Sequence, residues 1–324
     1  MTSLRYDPEY WTAIEPTRKG PKPPLFKTAL EIREFTDTIL TQVLGAIPYP
    51  PDIKESVYTI QSDDGVEIQL TRFASDEVLA SAEPTPAVVY VHGGGIVSCN
   101  VKIFAPQIAR QAHDAHLPYF AVNYRKAPEN PAPCAVEDCF AALKYISEHH
   151  KELNIDPTKL ALHGDSAGGG IAAGTALMAR DRQVAPPLAK QVLIYPMLDD
   201  RTELPPDAPI LELMSWQSND NVIAWNAYVG EDKRAKPDAD ISPYAAPARA
   251  TSLRGLPPTY IEVGTLDLFR DEDIAYAARL AKDEVEVEFH LWPGLPHGFD
   301  GVTTTSWYTR AQEARLSALR TIGI

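Results

Sequence analysis

The amino-acid sequence predicts an α/β domain built on a mostly parallel central sheet with helices on both faces. Short apolar runs at about 87–91, 119–123, 160–164, 190–195, 259–263 and 285–291 alternate with helical stretches. Such alternation folds as parallel strands joined by helical crossovers. The chain has 324 residues, the length of one such domain, and a domain of that length buries roughly three quarters of its unfolded surface. With 44% hydrophobic and 23% charged residues, the composition is that of an ordinary globular protein.

Taken in order, residues 1–50 form a region of their own. Pro21-Lys22-Pro23-Pro24 separates an amphipathic opening from a helical stretch over Thr28 to Leu44, and Pro48 to Pro51 ends it. Val57 to Gln61 and Val66 to Phe73 read as antiparallel strands, because Ser62-Asp63-Asp64-Gly65 between them ends in the Asp-Gly pair of a hairpin. The strand Ala87 to Val91 runs into His92-Gly93-Gly94-Gly95. Leu160-Ala161-Leu162 leads to Gly164-Asp165-Ser166-Ala167-Gly168, followed by a small-residue helix from Gly169 to Arg182. From Leu204 to about Ala250 the alternation stops, and Trp216, Trp225 and Tyr228 stand among many prolines. Two more strands follow, Thr259 to Val263 with the turn Gly264-Thr265-Leu266-Asp267, and Val285 to Leu291 with a turn that delivers His297-Gly298-Phe299.

These turns carry the chemistry. A serine between two glycines on a strand-turn-helix elbow is a nucleophile candidate: the strained turn exposes it, small neighbours let strand and helix approach, and the helix aims unpaired N–H groups at it. Ser166 fits, and the N–H of Ala167 adds an oxyanion donor. Three successive glycines in the upstream loop let further N–H groups reach an oxyanion without obstruction. Asp267 and His297 follow in the order this chemistry uses, both at the carboxyl edge of the sheet where ligands bind. Each has a plainer reading: Ser166 as a helix cap, His297 as a loop histidine bonded to backbone, and Asp267 as a turn aspartate with Asp271 or Asp273 as the acid instead. His92 is expected to shape its loop through a ring hydrogen bond. Asp165, Glu137 and Asp138 are expected to be structural partners, and Phe104, Tyr195 and Trp216 are as readily core as pocket.

With those motifs stated, the chain resembles the hormone-sensitive-lipase-like family of α/β-hydrolases, in the microbial esterase branch that carries Gly-Asp-Ser-Ala-Gly. The resemblance spans His92 to Gly95, Tyr124 to Glu129, Val136 to Cys139, His163 to Gly169, Tyr195-Pro196, Asp267 with Arg270-Asp271-Glu272, and His297 to Phe299. It implies an α/β-hydrolase fold of about eight strands with a helical lid, formed by residues 1–50 and an insertion at 204–250 on a catalytic domain of 51–203 and 251–324. It also implies Gly94 and Gly95 as oxyanion donors, and allows a homodimer through the edge strand near Val285 to Leu291. Four positions depart from the family: Leu268-Phe269 replace a proline and leucine after the acid, Ile96 replaces an aromatic, and Asn130 replaces a histidine. The function expected is a serine carboxylic-ester hydrolase acting on small to medium acyl esters through an acyl-enzyme. The alternatives are an amidase or arylformamidase using the same triad, and a ligand-binding module like the plant gibberellin receptors, which resemble this family but have lost the histidine that His297 retains.

Charge and cysteines bound the partners. The 30 basic and 44 acidic residues leave a formal charge of −14, which disfavours nucleic acid and anionic membranes and makes a neutral small-molecule ester the expected substrate. Cys99, Cys134 and Cys139 lack metal-ligand spacing, and Cys99 reads as a packing residue. Backbone N–H donors to the oxyanion make a metal or organic cofactor unnecessary, so neither is expected. No apolar run approaches the ~20 residues that span a bilayer. The polar opening Met1-Thr2-Ser3-Leu4-Arg5 is no signal core, so a cytoplasmic location is expected.

Overall fold

The computed structural model describes residues 4–20 and 23–322; Met1 to Ser3, the Pro21-Lys22 half of the proline break, and the last two residues lie outside the described residues. Helix α1 (Pro8–Arg18) opens on Asp7, whose carboxylate accepts the Glu9 and Tyr10 N–H groups. Helix α2 (Ala29–Gly45) opens on a capping box, in which the Thr28 hydroxyl accepts from Glu31 N–H and the Glu31 carboxylate accepts from Thr28 N–H. Strands β1 (Ile53–Gln61) and β2 (Glu67–Ser75) pair antiparallel with Gln61 opposite Glu67, and Gly65 N–H closes the expected turn onto the Ser62 carbonyl.

The remaining elements are α3 (Asp76–Leu79), β3 (Thr85–Val91), α4 (Val101–Ala115), β4 (Tyr119–Val122), α5 (Cys134–Glu148), α6 (His150–Leu153), β5 (Ile155–Asp165), α7 (Ala167–Asp181), β6 (Lys190–Ile194), α8 (Ser218–Val229), β7 (Thr259–Gly264), α9 (Arg270–Lys282), β8 (Val287–Trp292) and α10 (Ser306–Arg320). The eight strands form one sheet in the order β1-β2-β4-β3-β5-β6-β7-β8, antiparallel at β1 and β2 and parallel from β4 onward. Period-two alternation divides the core between the two faces. Val89, Val91, Leu162, Leu193 and Ile261 pack toward α5, α7 and α9. Val88, Tyr90, Ala161, Val192 and Tyr260 pack toward α4 and α10.

Register positions the site. Val91 lies opposite Gly164, so the glycine loop after β3 and the serine elbow after β5 leave the sheet side by side. Gly264 lies opposite Trp292, so the turns bearing Asp267 and His297 also leave together. Strand β8 begins two residues later than the alternation predicts. Glu284 adopts φ +64° and Val285 N–H returns to the Leu280 carbonyl, so both residues close α9 before the strand begins.

The two segments outside the alternation are joined to each other. Tyr6 donates to the Leu213 carbonyl at 2.7 Å, Arg18 to the Met214 carbonyl at 3.0 Å, and Asn219 to the Phe26 carbonyl at 3.1 Å. Among the described residues, no helix is long and apolar enough to cross a membrane.

Candidate active site

Ser166 sits between β5 and α7 at φ +57°, ψ −120°, outside the regions open to L-residues without strain. Its backbone is held on both sides. Its N–H donates to the Ile194 carbonyl at 2.8 Å, and its carbonyl accepts from Met197 at 3.0 Å and Gly170 at 3.1 Å. The flanking glycines are steric requirements. A Cβ at Gly164 would stand 2.2 Å from the Gly168 carbonyl oxygen, and one at Gly168 would stand 2.1 Å from that of Val91.

The three residues separated in sequence meet in space. Ser166 Oγ lies 2.8 Å from His297 Nε2, and His297 Nδ1 lies 2.7 Å from Asp267 Oδ2. The second Asp267 oxygen accepts the Phe269 N–H at 2.9 Å, and the carboxylate is fully buried. Neither rival acid bonds to His297. Asp271 is exposed and pairs with Arg270, while both oxygens of the buried Asp273 lack a hydrogen-bond partner among the described residues.

Aromatic edges confine the imidazole. Tyr195 lies edge-on at 4.5 Å between centroids and Phe269 edge-on at 5.1 Å. The Tyr195 hydroxyl donates to Asp300, Asp300 accepts from Arg315, and the buried Arg315 also bonds Glu262 on β7. Sequence reasoning named Tyr195 as an ambiguous aromatic and within the family motif Tyr195-Pro196, and gave no role to Phe269, Asp300 or Arg315. The one available signal was the departure at Leu268-Phe269 from the family pattern.

The glycine loop coils through Gly94 at φ +116°, Gly95 at +60°, Ile96 at +66° and Cys99 at +70°. The Gly94 carbonyl gathers the Val97 and Ser98 N–H groups and the Ser98 hydroxyl. Among the described residues, no acceptor takes the N–H of Gly94, Gly95 or Ala167. His92 is neutral: burial, with the Lys126 charge second, pushes its imidazole down to about 3. Its Nδ1–H donates to the Gly93 carbonyl at 2.7 Å, and its ring stacks on Tyr124 at 4.3 Å, which agrees with a role in shaping the loop. Phe104 is buried against His92, whereas the Trp216 ring lies over Gly95.

Asp165 and Asp138 are structural partners here. Asp165 accepts from Tyr90 and Gln107, and Asp138 is paired with Arg125. Burial pushes the Cys99 thiol up to about 12, which suits packing and not nucleophilic attack. Ser215 donates its hydroxyl to the His297 carbonyl. Beside it, a cavity of about 1420 Å³ opens between the two joined segments, with Trp11, Phe26, Phe35, Leu213 and Trp216 among its walls. Among the described residues, no cluster of three or more histidine, cysteine, aspartate or glutamate side chains is placed to hold a metal.

Known proteins resemble this chain. Residues 88–301 match the family described as the alpha/beta hydrolase fold. The chain is 33% identical to the esterase LipI of Mycobacterium tuberculosis over 93% of this chain and 99% of that one. It is 38% identical to the carboxylesterase NlhH of Mycobacterium tuberculosis over 66% of each chain. A bacterial heroin esterase superposes with a TM-score of 0.88 at 35% identity, over 98% of both chains.

Proposed function

Because this chain belongs to the α/β-hydrolase family, in its hormone-sensitive-lipase-like branch, and is a carboxylic-ester hydrolase, we propose that Ser166, His297 and Asp267 carry out its chemistry. The observation that carries the assignment is the continuous hydrogen-bonded path from Ser166 Oγ through the imidazole to Asp267, at 2.8 and 2.7 Å. Ser166 Oγ attacks the ester carbonyl carbon as its proton passes to His297 Nε2. The tetrahedral oxyanion collapses, the alkoxide leaves with that proton, and the acyl group remains on Ser166. Water then attacks the acyl-enzyme, gives a proton to the same nitrogen, and releases the acid as the proton returns to Ser166. Asp267 holds Nδ1–H and so fixes the tautomer that leaves Nε2 free to accept. The unpartnered N–H groups of Gly94, Gly95 and Ala167 stabilise the oxyanion in both halves of the cycle.

The substrate is a small-molecule ester. Residues 1–50 and 204–250 act together as the cover over Ser166, on a catalytic domain of 51–203 and 251–324; their mutual hydrogen bonds and the seat of Trp216 on Gly95 support this division. A homodimer through β8 is supported by its place at the end of the sheet and by the exposed Leu291. The three free cysteines support a cytoplasmic setting, where thiols stay reduced.

The test is Ser166→Ala in purified protein with p-nitrophenyl butyrate. A loss of about 10⁴-fold or more in kcat is expected, from the scale of nucleophile removal in serine hydrolases. Turnover near the unsubstituted level would overturn the assignment.

A further inference from the structure

The glycine loop has few means of holding itself in place. Gly94 and Gly95 bring no side chains, and Ile96 and Cys99 occupy left-handed backbone that persists only where surrounding structure imposes it. Most of its internal bonds converge on one carbonyl, that of Gly94. The external restraints come largely from α2, more than sixty residues earlier in the chain. Arg33 Nε donates to the Val97 carbonyl at 2.6 Å. The same guanidinium donates to the Ala127 carbonyl at 2.8 Å and forks onto Glu129 at 2.8 and 2.6 Å. Ala127 N–H in turn donates to the Ile96 carbonyl at 3.2 Å, so this contact also reaches the loop. One helical turn after Arg33, Asp37 Oδ1 accepts the Cys99 N–H at 2.6 Å. Two charged side chains on one face of α2 therefore grip the loop at Val97 and Cys99, just past the two N–H groups that face the reaction.

We propose that Arg33 and Asp37 are positioning residues for the oxyanion donors, so that the N-terminal segment takes part in the chemical step as well as walling the pocket. This rests on the reading of Gly94 and Gly95 as donors. Each side chain acts through the backbone it holds and touches no substrate. Donor groups act in the transition state only when they stand within hydrogen-bond distance of the developing charge. Loosening them therefore lowers kcat and leaves KM nearly alone.

The experiment uses the full chain, with rates normalised to sites counted by fluorophosphonate titration so that only folded enzyme is compared. Asp37→Ala and Arg33→Met are each expected to lower kcat for p-nitrophenyl butyrate by about tenfold, part of the loss that follows removal of a whole donor, with KM changed less than about twofold. An alkyl trifluoromethyl ketone, whose serine adduct carries an oxyanion, should lose affinity by the same factor as kcat. Asp37→Asn keeps an oxygen acceptor for Cys99 N–H and should restore most of the rate. Arg33→Lys cannot form the fork and should not. Arg254→Ala, which removes an exposed ion pair with Glu284, is the control and should match the unsubstituted chain. Unchanged kcat in both variants, a loss confined to KM, or a kcat loss without weaker ketone binding overturns the proposal. If the ketone fails to inhibit the unsubstituted chain, the reading of the donors has itself failed, and the two failures are thereby distinguished.

Discussion

Ser166 is held at φ +57° by three backbone hydrogen bonds from β6, the residues after it and the first turn of α7. Strain of this kind costs ~1–3 kcal/mol and is kept where it serves a site. Gly95 bears a comparable demand, since a Cβ there would stand 2.7 Å from Trp216 on a backbone at φ +60°. Gly95→Ala must displace either the indole or the loop, and a displaced donor costs about 10²–10³-fold in kcat. Steady-state kinetics check this; a variant within threefold of the unsubstituted rate would remove Gly95 from the donor set. At this scale the residues that meet at the site were readable because glycines and turns mark them: Ser166 between Gly164 and Gly168, Asp267 after Gly264, His297 after Pro293-Gly294. Phe269, Asp300 and Arg315 were not readable. Their sequence neighbourhoods are ordinary, and their significance arises from partners on other elements, such as Arg315 on Glu262, 53 positions away.

Helix α9 shows a different economy. Its first turn buries two adjacent carboxyls, Glu272 and Asp273. Glu272 accepts from Leu198 N–H, Asp199 N–H and the Thr202 hydroxyl, whereas the Asp273 carboxyl has no hydrogen-bond partner among the described residues. Burial raises both well above the usual carboxylate range, and for Asp273 the charges of Glu272 and Asp267 add to it. A carboxyl raised on folding contributes fully below its unfolded value, near pH 4, and that contribution is lost as pH rises toward the folded value. Asp273→Asn cannot ionise and so escapes the cost of holding a buried carboxyl protonated; it should therefore raise Tm, by a larger increment at pH 8 than at pH 5. Thermal denaturation at the two pH values decides it, and a lower Tm at pH 8 would contradict the account. Elements with strong local signals were legible, including the Asp-Gly hairpin and the strands feeding the glycine loop and the elbow. The late start of β8 was not, because Val285 is apolar enough for a strand but its N–H is used by α9. Residues 204–250 could be recognised as an interruption, yet the path of α8 depends on contacts with the N-terminal helices that no local pattern encodes.

For the whole molecule, a formal charge of −14 gives a net field that opposes the approach of anions. The ratio of kcat/KM for p-nitrophenyl butyrate to that for the anionic p-nitrophenyl succinate should shrink as salt rises from ~0.01 to ~0.5 M and shortens the Debye length. A salt-independent ratio would place the discrimination in pocket contacts instead. The parallel sheet and its helices on both faces were legible from alternation alone. What alternation could not supply was the closeness of remote parts, and one instance has a mechanical consequence. The Ser215 hydroxyl is fastened to the carbonyl of the residue whose ring stands over Ser166. If residues 204–250 shift to admit a bulky guest, a displacement that carries Ser215 away from residue 297 breaks that fastening, and the backbone that carries the imidazole loses one of its anchors in the same movement.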